Sequence, residues 1–127
     1  MRRISVAAAL MLSGLSAQAQ SMSAEQKAQF QSAMISHVEA VSVDGAYTYL
    51  DTKTQAIKTV YPANVHPFVV KVAGKVFVCS EMVTETGETV TADFMIEEID
   101  GSYRVVQMLV NNRDALKAAM KKKKSGT

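Results

Sequence analysis

Hydrophobic and polar positions change rhythm several times along this chain. After a dense apolar run at 4–15, Phe30, Met34, Val38 and Val41 recur at intervals of four and three. That is one stripe of a helix, with Glu25, Lys27, Gln29, Gln31 and Glu39 falling away from it. Ser23 followed by Gln26 has capping-box spacing, so a helix is predicted over 24–41, ended by Asp44-Gly45. From 46 to 110 the period is two. Segments 46–50 and 56–61 flank the polar turn Asp51-Thr52-Lys53-Thr54. Pro62 and Pro67 lack the N–H a strand ladder needs, so 61–67 is expected to be a connector. Segments 68–72, 76–84, 89–99 and 103–110 follow, joined at Ala73-Gly74, Thr86-Gly87 and Asp100-Gly101. Helical periodicity returns at 112–120. The pattern predicts an α+β domain in which one N-terminal helix packs on a curved five- to six-stranded antiparallel meander, with a short C-terminal helix.

The opening run belongs to a different kind of segment. Met1-Arg2-Arg3 is a short positive start, the apolar stretch is about a dozen residues, and Ala17-Gln18-Ala19 is an A-x-A cleavage signature. A membrane span needs about 20 apolar residues, and Ser5, Ser13, Gly14 and Ser16 interrupt this one. Residues 1–19 therefore read as a secretory signal peptide, 20–116 as a single domain and 117–127 as a basic tail. The implied location is the periplasm or the extracellular medium, with no transmembrane segment left after cleavage.

Removal of Arg2 and Arg3 lowers the basic count from 14 to 12 and makes the mature chain neutral against its 12 acidic residues. Lys117 and Lys121 to Lys124 concentrate positive charge at the end, which leaves an acidic body. A nucleic-acid binder carries its positive charge on a folded face, so that class is excluded. Seven of the acidic side chains, Glu81, Glu85, Glu88, Asp93, Glu97, Glu98 and Asp100, cluster near the last hairpins and read as a solvated rim.

Two-residue turns at all three later hairpins would place Phe68 beside Cys79 and Phe94, Val70 beside Phe77 and Ile96, and His66 beside Glu81 and Ala92. Val69, Val76, Val78, Met82, Met95, Val106 and Met108 then share the opposite face, and both faces are apolar. An antiparallel sheet normally leaves one side wet, so this second face is a candidate interaction surface. A second copy of the chain, a protein partner, a small apolar ligand or residues 112–120 would cover it.

Candidate chemistry is sparse. Cys79 is the only cysteine, in a chain marked for export. His66 and Glu81 lie close enough in this register to make a His66–Cys79–Glu81 cluster, a thiolate, imidazole and carboxylate set suited to zinc or copper. His37 sits beside the helix stripe and reads as a packed boundary histidine. No P-loop, G-x-S-x-G, dinucleotide fingerprint or H-E-x-x-H occurs, and no cofactor is required by the sequence.

The stretch Tyr49-Leu50-Asp51, Tyr61-Pro62-Ala63-Asn64-Val65-His66-Pro67, Val78-Cys79, Gly87, Asp93-Phe94 and Asn111-Asn112-Arg113 resembles small exported bacterial proteins of unassigned function. Their outline is similar to cystatin and NTF2-like α+β rolls. The resemblance implies a curved sheet cradling a helix, a scaffold used for protease inhibition, protein docking, ligand binding and some catalysis. The chain lacks a Q-x-V-x-G inhibitory loop. The leading expectation is an exported, non-enzymatic binding module. The alternatives are a metal-handling protein using His66, Cys79 and Glu81, and a small cradle-type enzyme with its site near His66, Tyr47 and Tyr49.

Overall fold

The computed structural model describes residues 22–124. The leader expected at 1–19 lies outside the described residues. Helix α1 (Ala24–Val41) starts where the capping pattern places it, with Ser23 Oγ accepting from the Gln26 N–H at 3.1 Å. Phe30, Met34 and Val38 of its stripe are buried, whereas Val41 at the end stays 37% exposed. Ser42 Oγ donates to the Val38 carbonyl at 2.6 Å and closes the last turn. Asp44 and Gly45 both take positive φ, 51° and 78°, a tight turn that aims the chain into the sheet.

The sheet is a five-stranded antiparallel meander in the order β1 (Tyr47–Asp51), β2 (Ala56–Val72), β3 (Lys75–Thr84), β4 (Thr89–Ile99) and β5 (Ser102–Val110). The expected connector at 61–67 is instead the middle of β2, which runs through both prolines. Two facts reconcile them with a strand. β1 pairs only as far as Val60, so beyond it the outer edge of β2 has no neighbour to miss an N–H. The register against β3 also slips between Pro62 and Val65 and again between Val65 and Val69, so extra residues are absorbed as bulges. One long bent strand thus replaces two short ones.

Two of the later turns match expectation. Ala73-Gly74 and Asp100-Gly101 close two-residue hairpins with positive φ at both positions. The β3–β4 turn does not. Gly87 N–H bonds the Thr84 carbonyl at 3.0 Å and Thr84 N–H bonds the Glu88 carbonyl at 2.8 Å, which makes a three-residue loop with Gly87 at φ +86°. This one-residue change pairs Cys79 with Asp93 and Val78 with Phe94, where the shorter turn would pair Cys79 with Phe94. The β4–β5 ladder keeps the expected Ile96–Val105 pair, then slips between Ile96 and Met95, so Phe94 meets Met108 and Asp93 meets Leu109.

These shifts decide what each helix covers. Val60, Val78, Met82, Ala92, Phe94 and Ile96 form one core with Phe30, Met34 and Val38 of α1, and Val69, Val76, Val105 and Met108 pack around it. The candidate interaction surface is therefore corrected. Of its seven members, Val69, Val76, Val78, Met82 and Met108 lie under α1; Met95 belongs to the other face, and Val106 is the extra residue of the β5 slip. The opposite face is covered in part by α2 (Arg113–Lys124), which packs on β2 and β4 and buries Leu116. This helix continues through Lys121 to Lys124, so the expected tail begins as helix. The sheet coils until Lys53 Nζ, in the β1–β2 turn, reaches the Asn111 carbonyl after β5 at 3.4 Å, without closing.

Truncation of Met34 to Ala, at 1% exposure, should cost about 2–5 kcal/mol in denaturant unfolding. Val41→Ala should shift stability by less than about 0.5 kcal/mol. A second expectation concerns acid. Asp51 sits 2.8 Å from Lys58 Nζ and accepts the Lys53 N–H, which lowers its pKa from 3.8 to about 2. Its contribution is present above the ordinary carboxylate value and is lost as pH falls towards the folded one. Asp51→Asn should flatten the acid limb of a stability–pH curve between those values, and added salt should shrink the difference.

Candidate functional site

The bulges of β2 bring His66 against β3 on the face away from α1. Its Nδ1 lies 3.1 Å from Cys79 Sγ and its Nε2 lies 3.2 Å from Glu81 Oε1. Asn64 Nδ2 donates to Glu81 Oε2 at 3.1 Å. The Gln31 side chain of α1 donates to the His66 carbonyl at 3.2 Å and ties the bulge to the helix. The cluster expected from His66, Cys79 and Glu81 is therefore assembled. Its order differs from the expected one, because Cys79, and not Glu81, is the nearest neighbour across the bulge.

Protons in this chain of contacts can be assigned from the ends inward. The hydrogen bonds from Asn64 and His66 hold the Glu81 carboxyl below its ordinary range, so it is an acceptor only. The Nε2 that faces it must carry a hydrogen. In the neutral ring Nδ1 then has a lone pair, and it points at the thiol. Burial pushes the Cys79 thiol up, with Arg113 acting against that shift and Asp93 reinforcing it. The arrangement is a thiol against one edge of an imidazole whose other edge is backed by a carboxylate.

Asp93 and Arg113 complete the surroundings. Asp93 stands directly across from Cys79 on β4 and is 1% exposed, so its place is not the solvated rim expected for it. Arg113, at the start of α2, reaches Asp93 Oδ1 with Nη2 at 3.3 Å, while Asp93 Oδ2 is buried with no hydrogen-bond partner. Burial raises the Asp93 pKa, and Arg113 offsets part of that rise. Asn64, Asp93 and Arg113 were absent from the sequence-based site. The available signal was a carboxylate in the middle of the apolar run Thr91-Ala92-Asp93-Phe94-Met95, a position that demands a buried partner.

The same residues do not form a cage. Thiol and carboxylate approach opposite edges of one imidazole, and among the described residues no three His, Cys, Asp or Glu side chains converge where a metal ion would sit. The enzyme site imagined around His66, Tyr47 and Tyr49 is not brought together either. The two tyrosines stack at 5.8 Å and pack against the α1 core, on the other side of the sheet from the His66 ring. His37 is half-buried at 6.4 Å from Phe94 on that same α1 side, in the boundary role expected of it.

A second feature is a concavity between α1 and the bend of β2. It encloses about 360 Å³ and is walled by Met34, Ile35, Val38, Pro62, Ala63 and Val65, with Glu39, Ser42 and Ser80 as its polar groups. Ser80 Oγ is committed to the Asn64 carbonyl at 3.0 Å, which shapes the floor. A larger cleft of about 540 Å³ between α1 and β5 is lined by Ser32, Ser36, His37, Ser102 and Arg104 among others and is more polar in character. Among the described residues, no helix is long and apolar enough to cross a membrane.

Comparison with known protein families, with curated proteins and with solved structures finds no match for this chain.

Replacement of Arg113 by Met leaves both oxygens of a buried carboxylate unpaired. At neutral pH this should cost about 1–3 kcal/mol in chemical unfolding. Because burial raises the Asp93 pKa, the ionised form is the disfavoured one, so the deficit should shrink as pH falls and should be relieved at neutral pH by Asp93→Asn in the same background.

Proposed function

We propose that this chain is an exported, non-enzymatic binding module of the periplasm or extracellular medium that takes a small apolar ligand between α1 and the bend of β2. The cleft carries this reading. Small-molecule sites typically measure about 300–1,000 Å³, with apolar walls and a few convergent polar groups. The concavity under Ile35 and Val65 has that size and make-up, with Glu39 and Ser42 as the polar groups on its helix side. Its floor is Met34, Val38 and Ser80, all held in the buried core, so the site needs no rearrangement to exist. The leader pattern at 1–19 supports export. The helix lying on a coiled antiparallel meander supports the likeness to cystatin and NTF2-like rolls, a scaffold on which ligand binding is one established use.

A protein partner or a second copy of the chain is the other reading. It is favoured by the unpaired outer edge of β2 beyond Val60, where Phe68 is 68% and Val65 41% exposed. Pro62 and Pro67 interrupt that edge and discourage indiscriminate strand addition, which places this reading second.

Titration with Nile red, a neutral apolar dye, separates the two. Saturable binding near one dye per chain is expected, weakened about tenfold or more by Ala63→Trp, whose indole would occupy the cleft, with an unchanged circular-dichroism spectrum. Absent or non-saturable binding, together with a dimer in native mass spectrometry, would favour the edge instead.

A further inference from the structure

We propose that Cys79 is a hydroperoxide-reactive thiol, with His66 as the base that takes its proton and Glu81 as the residue that orients His66. The geometry for proton removal is complete. The thiol sulfur lies 3.1 Å from Nδ1, and the opposite Nε2 lies 3.2 Å from Glu81, itself held by Asn64 at 3.1 Å. An inert core cysteine needs none of these contacts, and a purely structural histidine would not require a carboxylate to select its tautomer.

The other side of the sulfur indicates the class of substrate. Asp93 Oδ2 is a buried acceptor without a partner, on the residue directly across from Cys79. Buried acceptors without donors are rare, and a small molecule with an O–H would satisfy this one. Arg113 supplies donors at the same place, already engaged with Asp93 Oδ1 at 3.3 Å. An O–H donor whose second oxygen accepts a hydrogen bond is the description of a hydroperoxide. Size argues the same way, since Cys79 is only 3% exposed. A bulky acyl or disulfide substrate would have to displace the side chains that bury it.

The step balances without another reactant. His66 Nδ1 takes the thiol proton, the sulfur attacks the terminal oxygen of ROOH, an S–O bond forms and the O–O bond breaks. The departing alkoxide, stabilised by Arg113, takes up the proton held on His66. Thiol and ROOH become sulfenic acid and ROH, with sulfur oxidised and peroxide reduced. A standing thiolate is not required, because proton transfer accompanies attack. Glu81 acts on the orientation and charge of the imidazole and touches no reacting atom.

The test uses the reduced protein and hydrogen peroxide, with the sulfenic acid trapped by dimedone and quantified by intact mass. A single adduct on Cys79 is expected, forming faster in the folded protein than in the same protein unfolded in urea at the same pH. His66→Gln should slow it by about a hundredfold. Glu81→Gln should slow it less and shift its pH profile, a change that a merely structural role would not produce. Oxidation no faster in the folded than in the unfolded protein, or equal rates in wild type and folded His66→Gln, would overturn the proposal. If His66→Gln does not fold, the comparison of folded with unfolded wild type decides alone.

Discussion

The bend of β2 is the constraint on which the rest of the molecule depends. A strand of this length, bonded without interruption to β3, would place His66 beside Glu81 and lay Pro62 to Val65 flat against the sheet. Register slips on either side of Val65 insert extra residues into β2. The strand lifts away from its neighbour there, as bulged strands do. On one side of the sheet this opens the apolar concavity beneath α1. On the other it swings His66 onto Cys79. The two prolines are tolerated because the edge they occupy faces no partner strand.

Two helices then divide the work of covering a sheet that is apolar on both sides. α1 contributes a continuous stripe and buries the middle of one face in the core. α2 is shorter, and apart from Leu116 its residues from Arg113 to Lys122 are exposed or half-exposed, so it covers its face by a few fixed contacts. One of these is charged. Arg113 compensates Asp93 in a position where an isolated carboxylate would be costly, and it leaves one oxygen unsatisfied.

Much of this architecture was legible in the sequence. The capping pair Ser23 and Gln26, the stripe through Phe30, Met34 and Val38, and the Asp100-Gly101 turn each carry a local signal strong enough to fix an element. The misreadings share one cause, which is that register is set by single residues in turns and bulges. Thr86-Gly87 looks like a two-residue turn, yet Glu85 joins it, and that slip exchanges Phe94 for Asp93 opposite Cys79. Pro62 and Pro67 signal an interruption correctly, but whether a proline ends a strand or sits on its free edge depends on how far the neighbouring strand extends. The grouping of His66, Cys79 and Glu81 survived these errors because same-face neighbours on β3 stay neighbours whatever β2 does. Their partners Asp93 and Arg113 did not, because one depends on the exact loop length and the other on where α2 lands.

Cross-strand nuclear Overhauser effects between β2 and β3 probe the bend most directly. The expected pattern has Val65 facing Ser80 and His66 ring protons close to the Cys79 β-protons, with the uninterrupted pairing of Val70 and Phe77 resuming beyond Phe68. A single unbroken register from Val60 to Val72 that sets His66 opposite Glu81 would contradict it, and with it both the cleft and the contact between imidazole and thiol.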